Sequence, residues 1–165
     1  MVQSSHLGTD WRDQWERVLR WHQRATAVRA ALPASGPAKT RALDDILAFF
    51  MNSYHLADWV HRDGAKPPQD VQTFIEGDSS MLVCRDICNG LKHYRLDPAY
   101  PSTSDSDWST ATRPLDPIVI SGGHSSRMVG GQRGSRWVFE HDGGDRDMFD
   151  LADACVEAWR KFLRI

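Results

Sequence analysis

Polar side chains that could contact a phosphate and transfer a proton are concentrated in residues 85–94, Arg-Asp-Ile-Cys-Asn-Gly-Leu-Lys-His-Tyr. If this segment is helical, Arg85, Asn89 and His93 lie four residues apart on one face, with Lys92 beside them. A cationic side chain can bind phosphate, an amide can orient it, and an imidazole can act as a general acid or base. These four residues are therefore the candidate catalytic residues.

A second polar cluster, Asn52, His55 and Asp58, has a spacing of three residues on the preceding long helix and could face the first cluster. An Asp58 carboxylate that accepts a hydrogen bond from His55 or His93 would fix the imidazole tautomer. That arrangement suits a general base and equally suits a structural hydrogen-bond network, which polar groups at a core border need in any protein. No recognised ligand spacing accompanies the cluster, so we expect neither a metal ion nor a cofactor.

Apolar residues recur at helical spacing in five segments. The predicted helices span about residues 10–32, 38–63, 69–75, 78–94 and 147–165. Suitable N-caps are Thr9 for the first helix, Asp78 for the fourth, and Asp147 or Asp150 for the last. Gly64 is a suitable stop for the second helix. We expect the first two helices to pack antiparallel, because only a short proline-containing loop connects them.

Between the fourth helix and the last, the composition changes. Residues 97–117 are rich in Asp, Ser, Thr and Pro and predict an irregular connection, and the β-type runs 118–120, 127–129 and 136–140 are separated by glycine-rich turns. The predicted fold is α+β, mainly α: a four- to five-helix bundle with a small antiparallel β-ribbon inserted before the C-terminal helix. We expect one domain over residues 1–165, made of a flexible N-terminus (1–8), a helical core (9–96), a loop and β insert (97–146) and a C-terminal helix (147–165).

Charge and cysteine content narrow the class of protein. Twenty basic and twenty-two acidic residues give a net charge of −2, so no overall positive field holds nucleic acid and any RNA contact must be local. The three cysteines do not form an even-numbered framework, which indicates reduced, buried thiols and a cytoplasmic location. No apolar run approaches the roughly eighteen residues that span a bilayer, so we expect no membrane contact.

The predicted ribbon carries a basic and aromatic patch, Arg127, Arg133 and Arg136 with Trp137. Such a patch could contact RNA or a protein partner, although solvated strand faces often carry arginine. The glycines beside it follow no P-loop or dinucleotide-binding pattern and are interpreted as turn residues.

Residues 88–94 resemble the signature of the HEPN superfamily, in which Arg-Asn, three further residues and His lie late on a helix, often with Tyr soon after. Asn89 and His93 match this spacing, Cys88 occupies the position of the family's arginine, and the resemblance covers roughly residues 9–96. It implies a small helical bundle, metal-independent RNA cleavage across a homodimer, His93 as the acid or base, and Asn89 as an orienting residue. Arg85 or Lys92 would then replace the missing cation.

Residues 55–59, His-Leu-Ala-Asp-Trp, together with the later Asn-Gly-x-Lys-His run, also resemble a combination found in uncharacterised bacterial proteins, which implies no activity. Two functions follow. The first is a noncatalytic or weakly active HEPN-like module that binds RNA, a nucleotide or a protein partner through a polar groove between helices two and four. The alternative is a HEPN-type endoribonuclease, a toxin or defence effector. Loss of a transition-state cation typically costs on the order of a hundredfold in rate, so Cys88 favours the first function.

Overall fold

The chain is mostly helical, with a small antiparallel sheet before the C-terminal helix. A computed structural model describes residues 10–33, 35–92, 118–121, 127–133, 136–141 and 144–165. The helices are α1 (Trp11–Thr26), α2 (Gly36–Arg62), α3 (Pro68–Gly77), α4 (Ser79–Lys92) and α5 (Met148–Leu163), and the strands are β1 (Ile118–Ser121), β2 (Arg127–Arg133), β3 (Arg136–His141) and β4 (Gly144–Asp147). The predicted flexible segment 1–8 and the predicted irregular segment 97–117 lie outside the described residues. None of the described helices combines the length and the apolar composition that crossing a membrane requires.

Helix α1 begins one residue later than expected and ends earlier. Its N-cap is Asp10, whose Oδ1 accepts a hydrogen bond from the backbone N–H of Arg12 at 2.7 Å. The helix ends at Thr26 and does not continue to residue 32 as predicted. The Thr26 hydroxyl donates to the carbonyl of His22 at 2.8 Å, and the N–H of Arg29 bonds back only three residues, to Thr26. These contacts replace the regular helical ladder with turns.

The ends of α2 and α5 follow the predicted terminal residues. Gly64 has φ of +72°, the left-handed conformation that glycine adopts without steric cost, and α2 ends just before it. Asp147 caps α5, because its Oδ1 accepts from the N–H groups of Phe149 at 2.9 Å and Asp150 at 3.2 Å. The cap is therefore Asp147, the first of the two predicted candidates.

The antiparallel packing of α1 on α2 is confirmed by contacts at both ends. The N–H of Trp11, at the start of α1, donates to Asp63 just after α2, and Arg24, near the end of α1, bonds to Asp45 at 2.9 Å. A partly buried bond joins the first turn of α1 to α2, where Gln14 donates its amide to the carbonyl oxygen of Asn52 at 3.1 Å.

A polar contact that the sequence pattern did not predict joins α1 to α5. His22 has helical core spacing but is only half-buried, and its Nε2 lies 2.7 Å from Oδ1 of Asp153. Arg29 bonds to the other oxygen of Asp153 at 2.8 Å and also to Asp150. The start of α5 is thus held against the end of α1 by two carboxylates, one imidazole and one guanidinium.

The sheet is larger than predicted. Its strand order is β1-β2-β3-β4, with every neighbouring pair antiparallel. The sequence pattern predicts a turn at Gly130 and Gly131, but β2 continues through both residues, because Gly131 pairs with Val138 of β3. β4 was not predicted at all, since Gly-Asp-Arg-Asp has no β-branched or aromatic residue. Pairing with β3 therefore outweighs the weak strand propensity of the β2 glycines and of β4.

Large aromatic side chains join the sheet to the helices. From β3, Phe139 meets Phe50 of α2 edge-on at 5.6 Å between ring centroids. From α5, Trp159 is fully buried, and its Nε1 donates to the carbonyl of Ser53 at 3.1 Å and to the Ser53 hydroxyl at 3.2 Å. The core therefore lies where α2, α4, α5 and β3 meet.

We expect Trp159→Phe to lower the free energy of unfolding by about 2 kcal/mol, because it removes buried volume and the donor to Ser53. The matched control is Trp21→Phe, whose parent ring is only half-buried and lies under Arg24. Chemical denaturation of both variants measures the difference. Equal losses in the two variants would contradict the assigned role of Trp159.

Candidate functional site

The position that corresponds to the motif arginine lies inside the protein. Cys88 is 1% exposed, and its thiol donates to the backbone carbonyl of Phe50 at 3.2 Å. Cys84, one turn earlier on α4, donates to the same carbonyl at 3.4 Å. The prediction of buried apolar thiols is confirmed, and the two cysteines hold α4 closely against α2.

Arg85 is not available as a simple replacement for that arginine. Its Nε and Nη2 both lie 3.1 Å from Oδ1 of its neighbour Asp86. The Asp86 side chain is only 4% exposed and that of Arg85 is 22% exposed. A buried carboxylate needs a partner, so the guanidinium of Arg85 compensates the charge of Asp86. The sequence analysis did not select Asp86, although a single acid among Ile87, Cys88 and Cys84 was a signal that could have found it.

The remaining α4 candidates are described less completely. Asn89 is half-buried on α4, one turn beyond Arg85. Lys92 is the last residue of α4, and its side chain lies outside the described part of the chain, as does the whole of His93. The roles predicted for these residues therefore stay predictions.

The predicted polar cluster of α2 is divided between two surfaces. Asn52 faces α1: its Nδ2 donates to the carbonyl of Ala48 at 2.8 Å, and its Oδ1 accepts from Gln14 at 3.3 Å. His55 and Asp58 instead line one open cleft. Asn52 is therefore part of the structural contact between α1 and α2, while the other two residues lie together at the surface.

This cleft, which we call the aspartate cleft, lies between the start of α1 and the end of α2 and has a volume of about 500 Å³. It is lined by Asp10, His55, Asp58, Trp59, Arg62 and Asp63. Asn89 is not among the described residues that line it, and His93 lies outside the described part of the chain, so the convergence of His55 and Asp58 with Asn89 and His93 in one hollow stays a prediction.

The three carboxylates of the aspartate cleft differ in the partners that they have within the protein. Asp10 caps α1, and Oδ2 of Asp63 accepts from the N–H of Trp11 at 3.4 Å. Asp58 is 63% exposed, and its Oδ1 lies 3.7 Å from Nε2 of His61. Two of the three carboxylates thus stabilise the α1 N-terminus, whose dipole favours negative charge, and Asp58 remains open to a ligand.

Tyr54 lies between the α4 candidates and Asp58. Burial raises the pKa of its phenol, the nearby Arg85 guanidinium opposes this, and Asp58 adds to it. The phenol is therefore neutral near pH 7 and can serve as a hydrogen-bond donor in the groove between α2 and α4. Tyr54 has the helical spacing of the apolar residues of α2, so the sequence pattern predicts a core position for it.

The three thiols have no route to a substrate in the described structure. Burial raises the pKa of Cys155 well above its ordinary value. Burial also disfavours the thiolate of Cys84, but hydrogen bonds with Cys155, Cys88 and Ser53 outweigh it and lower the Cys84 pKa. Cys84 and Cys155 are 0% exposed, so a nucleophilic role has no structural support.

The predicted basic and aromatic patch on the ribbon is corrected at Trp137. Its ring is 1% exposed and stacks on Phe149 at 6.1 Å, so it belongs to the core and not to a surface. Arg127 begins β2 and Arg136 begins β3, with side chains outside the described part. Nε1 of Trp137 has no hydrogen-bond partner, alone among the buried side-chain nitrogen and oxygen atoms that the structure describes.

Two further observations concern metal binding and similarity to known proteins. The described residues contain no group of three or more His, Cys, Asp and Glu side chains arranged to hold a metal ion. Comparison of the chain with protein-family models, with curated proteins and with solved structures found no match.

We expect Arg85→Met to lower the free energy of unfolding by about 3 kcal/mol, because it removes the guanidinium that pairs with the buried carboxylate of Asp86. Arg20→Met is the matched control, since Arg20 is exposed on α1, and it should change stability by less than about 0.5 kcal/mol. Urea denaturation measures both. A stability of Arg85→Met equal to that of the control would mean that Arg85 has no structural role.

Tyr54 makes stability depend on alkaline pH. Because its folded pKa is raised above the ordinary value of 10.0, its contribution is present below about pH 10 and is lost as the pH rises through the folded pKa. We therefore expect Tyr54→Phe to lose less stability than the wild type above about pH 10. Thermal melts across that range measure the two slopes, and parallel slopes would contradict the prediction.

Proposed function

We propose that this chain is a HEPN-like helical bundle that does not cleave RNA and instead binds a protein partner at the aspartate cleft. The observation that carries the proposal is the burial of Cys88, with its thiol on the carbonyl of Phe50, at the position of the motif arginine. A noncatalytic module keeps the helical scaffold of such a family, and residues on its surface bind a partner.

The described part of α4 offers no free cation to stabilise a phosphate transition state. Arg85 is paired with the buried carboxylate of Asp86, and Cys88 is neutral and enclosed. Cleavage would then depend on His93 and Lys92 alone. A general acid or base without electrostatic stabilisation of the developing charge is a weak catalyst.

The charge of the aspartate cleft favours a protein partner over RNA. Three carboxylates, Asp10, Asp58 and Asp63, face one guanidinium, Arg62, and one imidazole, His55. This excess of negative charge repels phosphate groups and attracts lysine and arginine side chains. The net charge of −2 supplies no compensating long-range attraction for nucleic acid.

The proposal includes a cytoplasmic location, which three buried thiols that form no disulfide support. It does not require the homodimer that the HEPN resemblance implies, because α1 and α2 of one chain form the whole described lining of the aspartate cleft.

We expect the wild-type protein to leave labelled single-stranded and hairpin RNAs intact in EDTA, at the same background level as His93→Ala, because the motif cation is absent. Denaturing gels of the RNA over time provide the measurement. Cleavage by the wild type that His93→Ala abolishes would overturn the proposal and support the endoribonuclease.

The change that restores the motif, Cys88→Arg, is a poor test of the same question. It places a guanidinium at a position that is 1% exposed, against the Phe50 carbonyl, and the cost of burying that charge would unfold or distort the core. His93→Ala avoids this difficulty and is the informative variant.

A further inference from the structure

A second cleft adjoins the aspartate cleft. It has a volume of about 400 Å³ and is lined by Trp11, Arg12, Asp63, Gly64, Ala65, Lys66 and Leu163. We call it the lysine cleft. Asp63 lines both clefts, so they meet at that residue, with the start of α1 and the end of α2 on either side.

The lysine cleft contains cations that the protein does not neutralise fully. The Lys66 ammonium lies 5.3 Å above the ring centroid of Phe162, and within the described part of the chain it has no carboxylate partner. The Arg12 guanidinium lies 4.6 Å from the ring of Trp11 and only 3.8 Å from Asp10, a distance at which an exposed ion pair is weak. An incoming carboxylate could therefore pair with Lys66.

The aspartate cleft has the complementary chemistry. Asp58 is open to solvent, and the half-buried indole of Trp59 belongs to the same lining. A carboxylate beside an aromatic ring suits a guanidinium, which can pair with the acid and stack on the ring. A phosphate would meet three carboxylates at this position, so a nucleic acid fits the two clefts less well than a peptide does.

We propose that the two clefts together bind a protein segment that carries an arginine and, a few residues away, an acidic side chain. The arginine enters the aspartate cleft and pairs with Asp58 against Trp59, and the acid enters the lysine cleft and pairs with Lys66. This inference rests on the proposed function, because it names the chemistry of the partner at the same cleft.

The test uses end-blocked glycine peptides that contain one arginine and one aspartate at different spacings, titrated into the full-length protein. Chemical shifts of the Trp59 indole N–H report binding, and Trp59→Phe assigns that signal. Two matched peptides carry citrulline in place of arginine, or asparagine in place of aspartate. Each of these two peptides removes one charge and keeps the shape of the side chain.

The expected result is a charge-specific pattern. Asp58→Asn should weaken binding of the parent peptide by about two- to fivefold and leave the citrulline peptide unchanged, as expected for one exposed ion pair. Lys66→Gln should weaken the parent peptide similarly and leave the asparagine peptide unchanged. Asp44→Asn on α2 and Lys161→Gln on α5 change exposed charges outside both clefts and should have no effect.

Three outcomes would overturn the inference: no binding at any spacing, losses that are the same for the charged and the uncharged peptides, or equal losses in the control variants. If peptides fail while the protein also leaves RNA intact and unbound, only the ligand chemistry is wrong. If RNA is cleaved, or if RNA binds and Asp58→Asn strengthens its binding, the proposed function itself fails.

Discussion

Two thiols that donate to one backbone carbonyl determine how closely α4 approaches α2. Cys84 and Cys88 both reach the carbonyl of Phe50, at 3.4 Å and 3.2 Å. Cysteine is short and behaves as a small apolar residue, so these contacts require the two helix backbones to lie near each other. The ring of Phe50 in turn meets Phe139 of the sheet. A long cationic side chain at position 88 would separate the helices, so the packing itself excludes the motif arginine.

Three of the described arginines are paired with carboxylates inside the protein. Arg85 compensates the buried Asp86, Arg24 pairs with Asp45 across α1 and α2, and Arg29 holds the start of α5. An arginine held by a fixed carboxylate has less charge to offer to a phosphate. Within the described part of the chain, Arg62 and Lys66 have no such partner, and they flank the point where the two clefts meet.

The negative charge of the aspartate cleft follows from the way α1 begins. The first N–H groups of a helix need acceptors, and Asp10 and Asp63 supply them to Arg12 and Trp11. Antiparallel packing brings the end of α2, with Asp58, to the same place. Helix capping thus concentrates carboxylates where α1 meets α2. The resulting surface attracts cationic side chains because the first N–H groups of α1 need acidic acceptors.

The sequence alone determined the five helices, a cap at either Asp147 or Asp150, the stop at Gly64 and the burial of the cysteines. These features depend on periodicity and on chemistry within a few residues, which a pattern reports directly. The sequence also brought His55 and Asp58 to attention, although it could not separate them from Asn52, since spacing on a helix does not tell which neighbour each face meets.

Only the tertiary structure decided the fourth strand, the burial of Trp137, the pairing of Arg85 with Asp86 and the two adjoining clefts. β4 exists because β3 supplies its hydrogen bonds, and Trp137 is buried because the sheet packs on the helices. Each of these features depends on groups far apart in the chain that meet only when the fold closes. Local propensity contains no information about such long-range partners, and this is why the chemistry of the surface could not be derived before the packing was known.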